Sequence, residues 1–321
     1  MKKYRQFFIK TLIIFLITML VIPTSLVFWV ESMIGKHHYS KTADYVNFLI
    51  NQKAEKAKEF DNKYGRKILI FSGSNTLYSI NSKYIHEKTK LPVVNYGIHM
   101  GLEHYIFQEA EKILKSGDIV IMPLEFSIYK KDKDTVPSQL AEYLVTYGKD
   151  YCKDLTFLQK VGLSFYLIKL IITYHKLDAD KLDEKILSQT NEFGDFVANV
   201  GNIPDIQNNR KYINIEEDIP KTYKNFALYD FIQFCKKNNV KLYAAMPFHY
   251  HQEKYSDKEK QAYENIRSFY EKNGVKMLGD IKSNAVYDEK LIYDFGYHAN
   301  DEGQKLHSDR MIKLLSTIDL D

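Results

Sequence analysis

Hydrophobic runs of strand length alternate with amphipathic helical patterns along most of the chain. The runs lie at residues 67–71, 92–97, 118–126, 240–248 and 275–280. The helical patterns lie near residues 102–115, 222–237, 256–273 and 301–316. Near-continuous apolar strands separated by helices are typical of a parallel sheet that helices cover on both faces. We therefore predict an α/β domain over residues 66–321, a flavodoxin-like three-layer sandwich with about five parallel strands.

One stretch, residues 127–221, breaks this alternation. It carries several helical patterns and no convincing strand, so we interpret it as a helical insertion after the third strand. Its most apolar pattern, near residues 155–176, is short and is interrupted by Lys160 and Lys169, which argues against a second membrane span. We expect this helix to pack against the sheet domain. The alternatives are contact with the membrane surface or with a membrane partner.

The amino terminus is the most apolar part of the chain. No charged residue occurs from Thr11 to Val30, and a helix of about 20 residues spans roughly 30 Å, the thickness of a bilayer core. Four basic residues precede this run: Lys2, Lys3, Arg5 and Lys10. Because positive charge favours the cytoplasmic side of a span, residues 1–30 are predicted to be a cytoplasmic tip and a transmembrane anchor. A helical connector is predicted at residues 31–65. A cleaved signal peptide and a buried core helix are the alternatives for the anchor.

Charge and cysteine content narrow the functional classes. The net charge of +4 comes from the amino-terminal cluster, since the other 41 basic residues balance 41 acidic ones. Because the rest of the chain has no net charge, it offers no excess of positive charge to bind a phosphate backbone, so we do not expect nucleic-acid binding. Cys152 and Cys235 lack the spacing of a metal site. Cys235 is interpreted as a buried thiol, with a disulfide to Cys152 as the alternative, and no metal or cofactor is predicted.

A candidate nucleophile directly follows the first predicted strand, in the sequence FSGSNTLYSI. Open parallel sheets bind ligands at the carboxyl ends of their strands, and Ser74 lies at such an end. Gly73 permits a tight turn there, and Ser74 would begin a helix whose free N–H groups favour an oxyanion. An ordinary turn with a serine helix cap has the same pattern, so this motif alone does not define an active site.

A candidate general base lies near the carboxyl terminus, in LIYDFGYHANDEGQKL. Asp294 and His298 fall on a predicted loop, four residues apart, so their side chains can face each other. The carboxylate would orient the imidazole, and the imidazole would accept the proton of Ser74. Asn300 and Asp301 are predicted to cap the last helix. A turn aspartate beside a surface histidine is the alternative interpretation.

Together these motifs resemble those of the SGNH (GDSL-like) hydrolase superfamily. SGSN at residues 72–75 resembles its first block, NYGIHMGL at 95–102 its second, and DxxxHxN at 294–300 its last. The resemblance covers the chain on either side of the predicted insertion. It implies a catalytic triad of the serine, histidine and aspartate in these blocks.

The resemblance also implies an oxyanion hole, in which the family uses backbone N–H groups of the nucleophile and of a glycine in the second block. Ser74 and either Gly97 or Gly101 fit these positions, and we prefer Gly101 because it precedes a helix. The third family block normally adds an asparagine, but this chain reads PLEFSIY there, with Glu125 in that neighbourhood. Asn75 is a candidate substitute donor, with helix capping as its alternative.

Two further expectations concern the surroundings of the site. The usual Asp-x-x-His spacing of the family is one residue longer in this chain. Three side chains are expected near the substrate: Glu125, His249 and Tyr297. His249 and His251 could also ligate a metal, but no third ligand of matching pattern accompanies them.

Membrane-anchored SGNH-like proteins of bacterial surface-polymer pathways, including those with the DltD-like layout of D-alanyl transfer to teichoic acid, share an anchor joined to such a domain. They can also lack the asparagine block. The resemblance implies an extracytoplasmic serine acyltransferase or esterase at the bacterial cytoplasmic membrane. Its substrate would be an acyl group, O-acetyl by preference, on a cell-envelope glycan or polymer, and a membrane acyl-donor protein would be a partner. A non-catalytic assembly or binding protein is the alternative.

Overall fold

The computed structural model describes residues 2–34, 41–130, 136, 138–148, 150–173, 188–203, 212–215 and 227–320. The chain divides into two compact units. The first comprises residues 1–44 and 134–181, and the second comprises residues 45–133 and 182–321.

The second unit is built on a five-stranded sheet in which every neighbouring pair is parallel. Its strands are β1 (Ile68–Ser72), β2 (Val93–Gly97), β3 (Ile119–Met122), β4 (Lys241–Ala245) and β6 (Lys276–Leu278). The order β2-β1-β3-β4-β6 is the doubly wound order of flavodoxin-like folds. The predicted fold class is confirmed, and each of the five predicted strands forms. A separate parallel pair joins β5 (His249–Tyr250) to β7 (Ala285–Val286).

Helices connect the strands of this unit. They are α2 (Lys41–Tyr64, whose first residues belong to the first unit), α3 (Ser74–Ser79), α4 (Ser82–Thr89), α5 (Tyr105–Ile113), α9 (Ala227–Lys237), α10 (Asp257–Lys272) and α11 (Asp301–Leu315). α11 packs on α3 and α4, and α5 packs on α9. The start of the helix predicted at residues 222–237 lies outside the described residues.

Side chains of β1 point alternately to the two faces of the sheet and contribute to a core layer on each face. Ile68 and Ile70 pack with α4 and with Met311 of α11 on one face. Phe71 points to the other face, where its ring contacts Phe107 of α5 at 5.4 Å. Successive residues of a strand face opposite sides of the sheet, so a strand buried on both faces is apolar throughout.

Helix α2 is an integral part of the second unit from Tyr45 onward. Its apolar residues include the buried Leu49 and Phe60. Lys53 is also fully buried, and its ammonium donates hydrogen bonds to the carbonyls of Asn95 in β2 and of Gly194, both at 2.8 Å. Burial lowers the pKa of Lys53 to about 7. The predicted connector is therefore a packed helix over most of its length.

The described residues of the first unit include α1 (Lys2–Met33), α6 (Ser138–Thr146), α7 (Tyr151–Asp154) and α8 (Phe157–Thr173). α1 is long and apolar enough to cross a membrane, and it is almost entirely exposed along its apolar stretch. α8 is the apolar helix expected near residues 155–176. It packs on α1 and α6, and Lys160 pairs with Glu31 at 2.6 Å. α8 therefore packs on helices of its own unit, and its packing on the sheet domain stays a prediction.

Candidate active site

The nucleophile loop joins β1 to α3. β1 ends at Ser72, Gly73 makes the turn, and α3 begins at Ser74. Two contacts hold α3 against β2. The side-chain amide of Asn95 donates to the carbonyls of Thr76 and Ile80. A methyl group at Gly97 would overlap the backbone nitrogen of Leu77, so only glycine permits this close approach.

A closed turn carries the acid–base pair. The N–H of Tyr293 donates to the carbonyl of His298 at 2.9 Å, and an antiparallel bridge joins Ile292 to Ala299 at the base of the loop. The N–H of His298 donates to the Phe295 carbonyl at 2.7 Å. The chain therefore reverses between residues 294 and 298, which directs both side chains to the same side. The predicted cap of the next helix forms, since the side chain of Asn300 accepts the N–H of Gly303.

The structure brings Ser74, His298 and Asp294 into one hydrogen-bonded chain. Nδ1 of His298 lies 2.6 Å from Oδ1 of Asp294, and Nε2 lies 2.9 Å from Oγ of Ser74. The carboxylate only accepts, so Nδ1 carries the proton and Nε2 accepts the hydroxyl proton of Ser74. The imidazole and carboxylate side chains are 14% and 26% exposed, which leaves the group open to substrate. Its arrangement suits removal of the serine proton.

Aromatic side chains fix the plane of the imidazole. The ring of Tyr78 stacks on that of His298, with centroids 4.1 Å apart and an interplanar angle of 10°. Phe295 meets the imidazole edge at 5.6 Å. Burial raises the pKa of Tyr78, and the charge of Asp294 adds to this effect, so the stacked ring is a neutral phenol. Tyr78 is absent from the predicted site, although it lies four residues after Ser74, on the same face of α3.

Glu125 lies beneath the nucleophile loop, with 2% of its surface exposed. Its carboxyl group accepts hydrogen bonds from the Ser72 hydroxyl at 2.6 Å, the Gly73 N–H at 3.2 Å and the Asn75 N–H at 2.8 Å. Burial raises the pKa of Glu125, and these hydrogen bonds oppose the rise. Glu125 therefore lies close to the predicted nucleophile, but its oxygens are bonded to the loop on either side of Ser74, and its proximity to substrate stays a prediction.

The side chain of Asn75 is also committed to structure. Its amide nitrogen donates to the carbonyl of Phe248 at 2.5 Å and to that of Tyr297 at 3.2 Å. Both amide hydrogens are therefore used, and the prediction that this side chain donates to an oxyanion is wrong. It ties the nucleophile loop to the acid–base turn. Asn199 makes a second such tie, because its amide donates to the carbonyls of Tyr78 and Ala299.

The backbone of Gly101 does not present its N–H to the site. That N–H donates to Nδ1 of His99 at 3.0 Å. His99 lies two residues after the end of β2, and the N–H of the intervening Ile98 donates to the Ser72 carbonyl, so His99 lies at the same end of the sheet as Ser74. The expectation for Gly101 is therefore corrected, and His99 is a site residue that the sequence reasoning missed. The available signal was its place inside the second motif, between the two glycines.

The other two side chains expected near the substrate are buried. His249 is fully buried, with Nδ1 against the Pro247 carbonyl at 2.8 Å and Nε2 against the Tyr255 hydroxyl at 3.2 Å. Burial lowers its pKa to about 4. The hydroxyl of Tyr297 accepts the N–H of Phe126 at 3.1 Å. These three contacts hold both side chains within the protein, and the proximity of His249 and Tyr297 to the substrate stays a prediction.

The sequence also leaves open a metal site at His249 and His251 and a disulfide between the two cysteines. His251 pairs with Glu259 at 2.7 Å and stacks on Tyr255, so it braces a loop rather than sharing a ligand set with its neighbour. Cys152 and Cys235 are buried free thiols, without a disulfide between them. Burial raises the pKa of each to about 12, so both stay protonated at neutral pH.

No protein-family model matches the chain, and no curated protein matches it. Among solved structures, the chain is similar to a protein from Desulfitobacterium hafniense assigned to the lipolytic G-D-S-L family. The match has 12% sequence identity and a TM-score of 0.35, and it covers 77% of this chain and 98% of that protein. A likeness this low says nothing about activity, which has to follow from the chain's own side chains.

Proposed function

We propose that this protein is a membrane-anchored, extracytoplasmic SGNH-type serine acyltransferase or esterase. Its substrate would be an acyl group, O-acetyl by preference, on a glycan or polymer of the bacterial cell envelope. The observation that carries the proposal is the hydrogen-bonded chain from Ser74 through His298 to Asp294 at the carboxyl end of a parallel sheet. Such an arrangement is what acyl transfer through a serine ester requires.

The first half of the reaction forms an acyl-enzyme. Oγ of Ser74 attacks the carbonyl carbon of the ester while Nε2 of His298 takes the hydroxyl proton. Asp294 stabilises the resulting imidazolium through the bond at Nδ1. The carbonyl oxygen becomes an oxyanion, to which the backbone N–H of Ser74 donates. When the C–O bond to the leaving alcohol breaks, the imidazolium gives its proton to that oxygen.

The second half releases the acyl group. An acceptor hydroxyl gives its proton to Nε2 of His298 and attacks the acyl-enzyme, and Ser74 recovers its proton as the new product leaves. Water as the acceptor gives an esterase, and a sugar or polymer hydroxyl gives a transferase. The apolar α1 supports a position beside the membrane, where an acyl-donor protein of the kind found in the DltD-like layout would be within reach.

The experiment is turnover of a chromogenic acetyl ester by the full-length chain in detergent, with labelling by a serine-reactive fluorophosphonate. We expect Ser74→Ala to abolish labelling and to lower kcat by about 10⁶-fold, to the residual rate that substrate binding and the backbone oxyanion donors supply. Ser316→Ala, at an exposed site near the carboxyl terminus, is the matched control and is expected to keep wild-type activity. Absence of both turnover and Ser74-dependent labelling in the wild type would count against an acyl-enzyme.

A non-catalytic assembly or binding protein is the second candidate. Glu125 favours it, because a hydrogen-bond acceptor occupies the neighbourhood where the family places a donor. Polymer acylation in cells expressing Ser74→Ala at wild-type protein level separates the two candidates. Lost acylation supports the enzyme, and unchanged acylation supports a binding protein.

A further inference from the structure

The candidate site is short of hydrogen-bond donors for an oxyanion. The N–H of Gly101 is bonded to His99, and the amide of Asn75 is bonded to two carbonyls. Glu125 accepts from the loop and offers no replacement. The N–H of Gly97 donates to Oδ1 of Asn95 at 2.9 Å, so the N–H of Ser74 is left of the donors that the family resemblance suggests. Acyl transfer normally uses more than one donor at this position.

His99 is held next to the nucleophile loop by the sheet. Ser72 and Gly97 are register partners at the ends of β1 and β2, and the N–H of Ile98 donates to the Ser72 carbonyl at 3.2 Å. His99 is the next residue, two positions after the end of β2. Its imidazole is therefore fixed at the same end of the sheet as Ser74.

The hydrogen bond from Gly101 determines the tautomer of His99. Nδ1 accepts a backbone N–H, so this nitrogen carries a lone pair and no proton. In the neutral imidazole the proton must then be on Nε2, which makes Nε2 a donor. A backbone contact fixes which nitrogen is protonated here, as ring nitrogens generally depend on each other's partners.

The surroundings keep this imidazole neutral. Burial lowers the pKa of His99, and the charge of protonated His298 lowers it further. His99 therefore stays uncharged when His298 takes up the serine proton. A neutral donor that resists protonation does not compete for the proton being transferred.

We infer that His99 is a second oxyanion donor, whose Nε2–H binds the substrate carbonyl oxygen beside the N–H of Ser74 as negative charge develops there. This inference rests on the proposed acyl transfer, and it assigns to an imidazole the task that an asparagine performs in the family. It also gives a role to the Gly101 N–H, which orients the imidazole instead of contacting the substrate.

The test compares His99→Ala and His99→Gln in the full-length chain with the chromogenic acetyl ester. We expect the alanine variant to lose about 10²–10³-fold in kcat with little change in KM, because the donor acts on charge that exists in the transition state. The glutamine variant keeps an N–H donor, so its kcat is expected to fall clearly less than that of the alanine variant. His86→Gln, at the opposite end of β2 near Leu91, is the control for a lost imidazole.

The outcomes distinguish this inference from the proposed function. An inactive wild type that is not labelled at Ser74 overturns both. An active wild type whose kcat is unchanged in His99→Ala overturns the inference alone, as does equal loss in the alanine and glutamine variants. Nitrogen NMR of histidine-labelled protein gives a readout independent of turnover. A proton on Nδ1 of His99 at neutral pH would contradict the assigned tautomer.

Discussion

Glu125 illustrates how one side chain can set the shape of a nucleophile loop. The backbone N–H groups of Gly73 and Asn75, on either side of Ser74, both donate to the carboxyl group of Glu125. The Ser72 hydroxyl donates a third hydrogen bond to the same group. Buried polar backbone groups need partners, and the tight turn at Gly73 leaves these two N–H groups without partners in the sheet. The two oxygens of a buried carboxyl group accept one N–H group each. A side-chain amide has a single acceptor oxygen and would leave one of these N–H groups without a partner.

Glu125→Gln is predicted to destabilise the fold by about 1–3 kcal/mol, because the amide nitrogen presents hydrogens to a donor. Since burial raises the pKa of Glu125 in the folded state, the wild type loses stability as pH rises through that pKa. The difference in the free energy of unfolding between wild type and variant is therefore expected to decrease from acidic to neutral pH. Urea unfolding at several pH values measures this difference, with Glu264→Gln, at an exposed position of α10, as the control. A difference that increases with pH would contradict this account.

The three residues of the hydrogen-bonded chain could be predicted from sequence because each lies in a short motif at a recognisable end of a strand or helix. The donors around them could not. Whether Asn75 and Gly101 face the substrate depends on partners far along the chain, at Phe248 and Tyr297, or on a neighbouring ring, at His99. Spacing in the sequence carries no information on such partners.

At the scale of elements, the position of the nucleophile depends on how closely α3 lies against β2. Gly97 faces the backbone of Leu77 with no room for a side chain. The side-chain amide of Asn95 donates to the carbonyls of Thr76 in α3 and of Ile80 directly after it, and the Asn95 carbonyl accepts from the buried ammonium of Lys53. The helix is thus fixed by a close contact and by a polar network.

Gly97→Ala is predicted to force α3 away from β2. We expect a loss of about 1–3 kcal/mol or more in stability, as for overpacking in cores, and a loss of about 10²-fold in kcat, since displacing the nucleophile by about 1 Å can have that effect. Thermal unfolding and ester turnover of the full-length chain measure both. Gly162→Ala, in α8 with no atom near the added methyl group, is the control and should lose neither. Equal behaviour of the two variants would refute the close-contact argument.

The strands of the sheet are the elements that the sequence predicts best, because strands buried on both faces are apolar without interruption. The third predicted strand was too long, since residues 118–126 contain a strand that ends at Met122. An apolar face in a sequence indicates burial, but it does not say which helix covers it, and α1 and α6 both pack on α8.

At the scale of the whole molecule, the excess positive charge is confined to the amino terminus. The basic excess lies in the first ten residues, and the rest of the chain is balanced. These residues begin α1, whose apolar residues from Phe7 to Ile22 are exposed to an extent that water does not favour. A bilayer would cover that surface, and the basic residues would hold its amino end in the cytoplasm.

The last prediction therefore concerns α1. In bacterial cells, a chain with a tag at each end is expected to stay in the pellet after alkaline carbonate extraction and to carry both tags in one band. Protease added to spheroplasts should remove the carboxyl-terminal tag. Replacing Leu16 and Leu20 together by arginine costs about 2.5–3.5 kcal/mol per residue near a helix centre, so this variant should leave the membrane fraction, while isoleucine at both positions should not. Loss of the amino-terminal tag from the mature band would indicate a cleaved signal peptide, because an anchor that spans the bilayer keeps both ends of the chain.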